Sequence, residues 1–250
     1  MELCEFRNCP LRRVSCFGQG KSKNLATAVR MFVRFLIARG YCAPELEHAI
    51  PTVAKWRLSS LPKYLSIQDV ECLINSCDQS SPLGVRERAI LLLIARLGLR
   101  TGDVSALKFG DLLWKEGTLI VSGKSRRQTR LPLPQQVGEA ILHYLRHGRS
   151  HKVSDYIFIT TTAPFVPISR QVVGRAVVRA VRRTGISAPT QDAHLLRHSA
   201  ATSMLREGVS LPAIGALLRH VSIQTTTVYA KVDLGLLQEV AMPWPEVQPC

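Results

Sequence analysis

Tyr229 stands in "TTTVYAKV" (residues 225–232), nine residues after His220. A tyrosine so placed either packs its ring in a core or offers its phenol as a nucleophile, and the local sequence does not decide between them. "AHLLRHSAATSMLREG" (193–208) offers His194, Arg197 and His198. On a helix His194 and Arg197 stand at i and i+3 and share a side. Two cationic or proton-exchanging groups placed together repel unless they share an anion. "RLGLRTGDVSALKFGDL" (96–112) adds Arg100 where one helix gives way to the next, with Asp103 in the first turn of the second. "SRQVVGRAVVRAVRRTG" (169–185) sets Arg175, Arg179 and Arg182 on one helix face and valine and alanine pairs on another. Such a stripe suits solvent or a row of phosphates. Each pattern alone has an ordinary structural explanation.

The whole chain narrows the choice. Its 250 residues are enough for one large domain or for one domain with a smaller companion, and 46% hydrophobic content supports a core. Thirty-three Lys and Arg against 18 Asp and Glu leave a formal charge of +15. A folded protein this basic points to a polyanionic partner, with nucleic acid first. The seven cysteines form no C-x-x-C pair, and Cys4, Cys9 and Cys16 match no zinc spacing. They read as reduced thiols of a cytosolic protein. "AILLLIA" (89–95) is far too short to span a bilayer, and residues 1–20 lack the apolar stretch of a signal peptide.

The elements that must position these residues are mainly helical. Apolar spacing predicts a helix over 22–39, closed by Gly40. Residues 50–66, with two prolines and no periodicity, read as a linker. Ser66 and Asp69 make a capping-box-like start for the helix that follows, and an apolar helix over about 84–97 breaks at Gly98. Two β-type runs within 118–134 flank a Gly-Lys-Ser-Arg-Arg turn, a hairpin signal, and "YIFIT" (156–160) is a candidate third strand. Helices are expected over about 168–184, 192–207, 211–219, 222–231 and 233–241. The fold class is mainly α with a small antiparallel β-sheet.

Taken in order, Arg100, Lys124 in a hairpin, His194-x-x-Arg197, His220 and Tyr229 resemble the catalytic set of the tyrosine recombinase (phage integrase) family. The context matches too: G-L-R-x-G-acid before a leucine-rich turn, Gly-Lys in a hairpin, and His and Tyr nine apart. The resemblance covers roughly 62–241. It implies an integrase-type catalytic domain over 62–250, preceded by a partial helical core-binding segment and linker over 1–61. It further implies attack by Tyr229 on a DNA phosphate to give a 3′-phosphotyrosyl intermediate, as in integration or excision of a mobile element. Arg100 and Arg197 would clamp the non-bridging oxygens, Lys124 would protonate the leaving 5′-oxygen, and His194 would exchange a proton with Tyr229. His220 would donate a further hydrogen bond, and Asp103 would orient an arginine. Neither metal nor cofactor is implied. The implied partners are double-stranded DNA, further copies in a tetramer on paired sites, and other recombinases of the same element. No membrane is involved; the expected place is the cytoplasm, on the nucleoid. Arg126, Arg127, Arg175, Arg179, Arg182 and Arg219 are the expected further DNA contacts.

The chain departs from the family pattern in three places. Arg219 stands where glycine usually precedes the histidine, which puts a bulky cation at a tight turn. The hairpin reads Gly-Lys-Ser rather than Gly-Lys-Gly. The segment 1–61 holds only one clear helix and a fragment of a core-binding domain, so the expectation is an N-terminally shortened recombinase or a misassigned start. Two other readings share these features: an idle DNA-binding remnant, and a type IB topoisomerase.

Overall fold

A computed structural model of the chain describes residues 19–52, 61–122, 128–149, 154–220 and 222–232. The chain divides into two compact units, Met1–Ser60 and Leu61–Cys250. In the first, α1 (Gln19–Ala38) buries Ala26 and Val33 with Ile50, which follows a 3-10 turn over Pro44–Ala49. Arg34 on the same helix pairs with Glu47 at 2.7 Å.

The second unit is built around one helix. Ser66 caps α2 (Ile67–Asn75), its Oγ accepting the Asp69 N–H at 3.0 Å. Ser81 caps α3 (Pro82–Leu97) in the same way through the Gly84 N–H at 3.1 Å. Pro82 sits in the first turn, where its missing N–H leaves no bond unmade. The run from Ala89 to Leu93 is fully buried, so this stretch of α3 is apolar all round and forms the central rod. Packed against it are α2, α5 (Gln135–His143), α6 (Arg170–Thr184) and α7 (Ala193–Arg206). Gly98, at φ +58°, ends α3, and α4 (Thr101–Ala106) begins three residues later. The last α-helix among the described residues, α8 (Leu211–Leu217), leads into the C-terminal described segment.

The sheet is antiparallel in the order β1 (Leu112–Leu113), β2 (Thr118–Ser122), β3 (Gln128–Pro132). Leu119, Val121 and Leu131 alternate into the core, the period expected of strands with one covered face. The mainly α fold with a small antiparallel sheet is therefore as the sequence indicated.

Three local expectations differ from the structure. The third strand is 112–113, not "YIFIT". Ile157, Phe158 and Ile159 are all buried, and that segment pairs only through isolated bridges at Tyr156 and Ile159. Its backbone bonds are scattered over several partners instead. The Ile157 N–H donates to the Leu107 carbonyl and the Phe158 carbonyl accepts the Ile168 N–H. The Tyr144 hydroxyl accepts the Ile159 N–H, and Arg149 donates to the carbonyls of Ser154, Tyr156 and Ile157. The helix α5, with its continuation in a π turn over Tyr144–Gly148, was not anticipated. The helix expected over 222–231 is two short 3-10 turns, Ile223–Thr225 and Tyr229–Val232. Its threonines are β-branched and carry hydroxyls that compete for backbone bonds, and the Thr227 hydroxyl donates to the Gln224 carbonyl. The expected helix over 233–241 lies outside the described residues.

Candidate active site

Four chain segments converge. The first is the α3–α4 junction, which supplies Arg100 as the residue just before α4. The second is α7, capped by Asp192, whose carboxylate accepts the Leu195 N–H at 3.1 Å; it supplies His194, Arg197 and His198. The third is the turn after α8, which supplies Arg219 and His220. The fourth is the 3-10 turn that begins at Tyr229.

Arg197 is buried (5% exposed) on the core side of α7. Its guanidinium donates to the Gly98 carbonyl and, at 2.5 Å, to the Leu218 carbonyl. Arg100 donates to the next carbonyl along, that of Arg219, at 3.2 Å. Successive carbonyls of one turn thus hold the two arginine forks side by side. Neither arginine has a carboxylate partner among the described residues. Burial, and then repulsion from Arg100, pull the Arg197 pKa down to about 10. The guanidinium remains charged at neutral pH, and an anion bound beside it would relieve both effects.

Tyr229 is 1% exposed, within a small cluster of Ala201, Leu205, Ile214 and Leu218. Its ring packs and its hydroxyl is also engaged, lying 2.8 Å from Nδ1 of His198. Burial raises the phenol pKa above its ordinary value, against the opposing pull of the Arg197 charge. Burial also lowers the His198 pKa, with repulsion from His194 and Arg197 adding to it. A neutral imidazole therefore faces a protonated phenol, the pairing that general-base activation needs.

His220 lies parallel to the tyrosine ring (6°) with centroids 6.5 Å apart. Its Nδ1 is 2.8 Å from the hydroxyl of Thr226, itself buried. Gly215 permits that approach, since a Cβ there would come within 2.9 Å of the Thr226 Oγ1. Burial, then repulsion from Arg197 and Arg100, lower the His220 pKa to about 4. The ring is neutral at pH 7, and with Nδ1 occupied its Nε2 is the nitrogen left for a ligand.

The structure thus brings Arg100, Arg197, His220 and Tyr229 together. His194 is exposed at the start of α7 and does not share a direction with the buried Arg197; its ring centroid is 6.5 Å from that of His198. Asp103 accepts the backbone N–H of Arg100 at 3.0 Å and forms an ion pair with Arg219. Lys124, Arg126 and Arg127 lie outside the described residues. In the α6 stripe Arg175 and Arg182 are exposed, whereas Arg179 joins Arg183 on the fully buried carboxylate of Glu87. Arg219 is likewise turned inward rather than outward as a DNA contact would be, because Asp103 holds it. His198 and Thr226 carried no role on sequence grounds. The spacing His194 to His198, i to i+4 on one helix, was the available signal for the first; nothing marked the second.

This fold and this site define a class. Residues 63–234 match the phage integrase family, and the chain belongs to it. An integrase/recombinase of Sinorhizobium fredii is 41% identical over 94% of this chain and 57% of its own length. Tyrosine recombinase XerD of Halalkalibacterium halodurans is 30% identical over 85% of this chain and 71% of its own length. The chain spans little more than half the length of the Sinorhizobium fredii relatives it matches at 41% and 34% identity. Among solved structures, a λ integrase dimer bound to a COC′ core site superposes with TM-score 0.68, at 16% identity, over 99% of this chain and 86% of that one. XerH recombinase bound to its difH substrate in a post-cleavage complex gives 0.65, at 23% identity, over 76% of this chain and 56% of that one. At these identities the likeness is one of fold. No helix among the described residues is long and apolar enough to cross a membrane.

Proposed function

We propose that the chain carries the catalytic domain of a site-specific DNA recombinase that cuts and rejoins strands through Tyr229. The observation that carries this reading is the pair of arginine forks, Arg100 and Arg197. Both are fixed by backbone carbonyls, neither has a carboxylate partner among the described residues, and a tyrosine and two neutral histidines stand beside them. Such a set is complementary to a phosphodiester, whose non-bridging oxygens take guanidinium donors while a phenol oxygen attacks phosphorus.

In cleavage, the Tyr229 oxygen bonds to phosphorus and its proton passes to Nδ1 of His198. The bond to the 5′-oxygen breaks, leaving a 3′-phosphotyrosyl ester. Arg100, Arg197 and Nε2 of His220 stabilise charge on the non-bridging oxygens as the five-coordinate state forms. The leaving oxygen takes a proton from a general acid, a role assigned to Lys124 by resemblance. In rejoining, a 5′-hydroxyl attacks the ester and Tyr229 recovers its proton. The ester conserves the bond, so this scheme needs no high-energy cofactor.

Names and structures of relatives support the reading: XerD is a tyrosine recombinase, and the λ integrase and XerH neighbours were solved on DNA. We further propose that residues 1–61 act as a partial core-binding segment, that the active form is a tetramer on paired sites, and that it works on the nucleoid in the cytoplasm. Other recombinases of the same mobile element are proposed partners.

The test is a nicked suicide duplex, drawn from a randomised library enriched for binding to the protein. A covalent protein–DNA adduct that survives denaturation supports the reading. Specific binding without any adduct favours the idle DNA-binding remnant.

A further inference from the structure

Arg219 is the only described residue other than glycine with a left-handed backbone, at φ 54°. The reason lies in how α8 ends. The His220 N–H donates to the Gly215 carbonyl and the Arg219 N–H to the Ala216 carbonyl, each at 3.0 Å, which is the Schellman pattern. That pattern needs a left-handed residue where Arg219 stands, and glycine fills it without strain. An arginine here is strained. Its side chain is also buried, 8% exposed, with Nε and Nη1 unpartnered among the described residues. A strained backbone and unsatisfied donors together require something in return.

We infer that Arg219 is a positioning residue that closes a three-bond ring through Arg100 and Asp103, and so fixes the catalytic Arg100 fork to the His220 turn. The backbone N–H of Arg100 donates to Oδ2 of Asp103 at 3.0 Å. The same Oδ2 pairs with Nη2 of Arg219. The Arg219 carbonyl then accepts Nη2 of Arg100 at 3.2 Å. The two links through Arg219 join the α4 start to the turn after α8, segments more than a hundred residues apart in sequence. With glycine at 219 the turn would still form, but only the single carbonyl bond would tie it to Arg100. The ring also couples the fork to His220 and, through Leu218, to Arg197. This inference rests on the recombinase reading for its functional consequence, though not for its geometry.

The decisive variants are Arg219→Gly, Arg219→Lys, Asp103→Asn and the double Asp103→Asn/Arg219→Gly, all in the full chain. Arg219→Gly relieves the backbone strain, so loss of the turn cannot explain any defect. Single-turnover cleavage of the suicide duplex should fall about ten-fold in Arg219→Gly, with duplex affinity within about two-fold of native. Arg219→Lys should recover part of the rate, and the double variant should be no slower than the slower single. Native rates in Arg219→Gly, or additive effects in the double, overturn the ring. A readout without DNA separates this from failure of the recombinase reading. In native protein labelled with ¹⁵N-arginine, a pinned Arg100 gives resolved Nη signals, identified by their loss in Arg100→Lys. In Arg219→Gly those signals should average. Unchanged signals there overturn the ring even if cleavage is seen; averaged signals support it even if no duplex is ever cut.

Discussion

The hydroxyl of Tyr229 meets Nδ1 of His198 at 2.8 Å, while His194, the histidine that family resemblance assigns to proton exchange, stands exposed one turn away. If that contact carries the proton, His198→Gln should slow adduct formation about 100-fold or more, the usual scale for a lost general base. His194→Gln should slow it less. The pH profile gives the sign. The His198 pKa lies below its ordinary 6.5, so the ring can accept a proton throughout the neutral range. The rate should fall only as pH drops below 6.5 and the ring becomes charged. Single-turnover cleavage across the acid-to-neutral range checks this; equal defects in the two variants, or a profile unchanged in His198→Gln, would reassign the base.

Arg197→Lys should leave the protein folded and reduce cleavage about 100-fold or more, because the donors of an ammonium radiate from one nitrogen and lack the planar fork that reaches two separate carbonyls and a phosphate. Arg197→Ala should also lose stability, by about 1–3 kcal/mol for each buried carbonyl left bare at Gly98 and Leu218. Urea unfolding beside cleavage kinetics separates the two effects. Lysine restoring full activity would show that only charge matters at this position.

Gly98→Ala should damage the site from outside it. The residue sits at φ +58°, and a Cβ there would meet Leu218 Cδ2 at 2.4 Å. The left-handed backbone alone costs about 1–2 kcal/mol for a residue with a Cβ, before any displacement of Leu218. Because the Gly98 and Leu218 carbonyls both hold Arg197, the melting temperature and the cleavage rate should drop together. A variant of lower stability but native rate would uncouple the junction from the fork.

On α6, Arg179 and Arg175 should separate. Arg179 shares the buried Glu87 carboxylate with Arg183, so Arg179→Ala should destabilise the fold by about 1.5–3 kcal/mol, the range for a hydrogen bond to a charged group. Arg175 is exposed, and Arg175→Ala should leave stability within about 0.5 kcal/mol. If the exposed stripe meets phosphates, Arg175→Ala weakens duplex binding and flattens its salt dependence, the slope falling by about one for each phosphate no longer neutralised. Thermal melts and binding at two salt concentrations distinguish the pair.

Much of this architecture was legible in the sequence because it depends on local signals. Ser66 with Asp69 marked the start of α2, the break at Gly98 marked the end of α3, and the period-two runs around 118–132 marked the hairpin. What was not legible depends on distant partners. "YIFIT" has strand composition, yet its backbone bonds are divided among Leu107, Val166, Ile168 and the side chains of Tyr144 and Arg149, none of them a neighbouring strand of the sheet. Arg179 has the spacing of a solvent-facing stripe, yet a carboxylate ninety-two residues earlier claims it. At the site, residue types and order pointed to Arg100, Arg197, His220 and Tyr229. Which histidine faces the phenol depends on where the chain returns after α8, and no spacing within α7 encodes that. Arg219 was visible as a departure from glycine, but its inward turn follows from Asp103, 116 residues away.

The proposed mechanism joins the Tyr229 oxygen covalently to DNA. The direct measurement is protease digestion of the purified protein–DNA adduct followed by mass spectrometry of the nucleotide-bearing peptide, with Tyr229→Phe run in parallel. The expected result is a peptide carrying a 3′-phosphate ester on Tyr229, and no adduct in Tyr229→Phe despite native duplex affinity, since the ring that packs against Leu218 and Ile214 is retained. An ester mapped to another side chain, or an adduct persisting in Tyr229→Phe, would contradict the assignment of Tyr229 as the nucleophile.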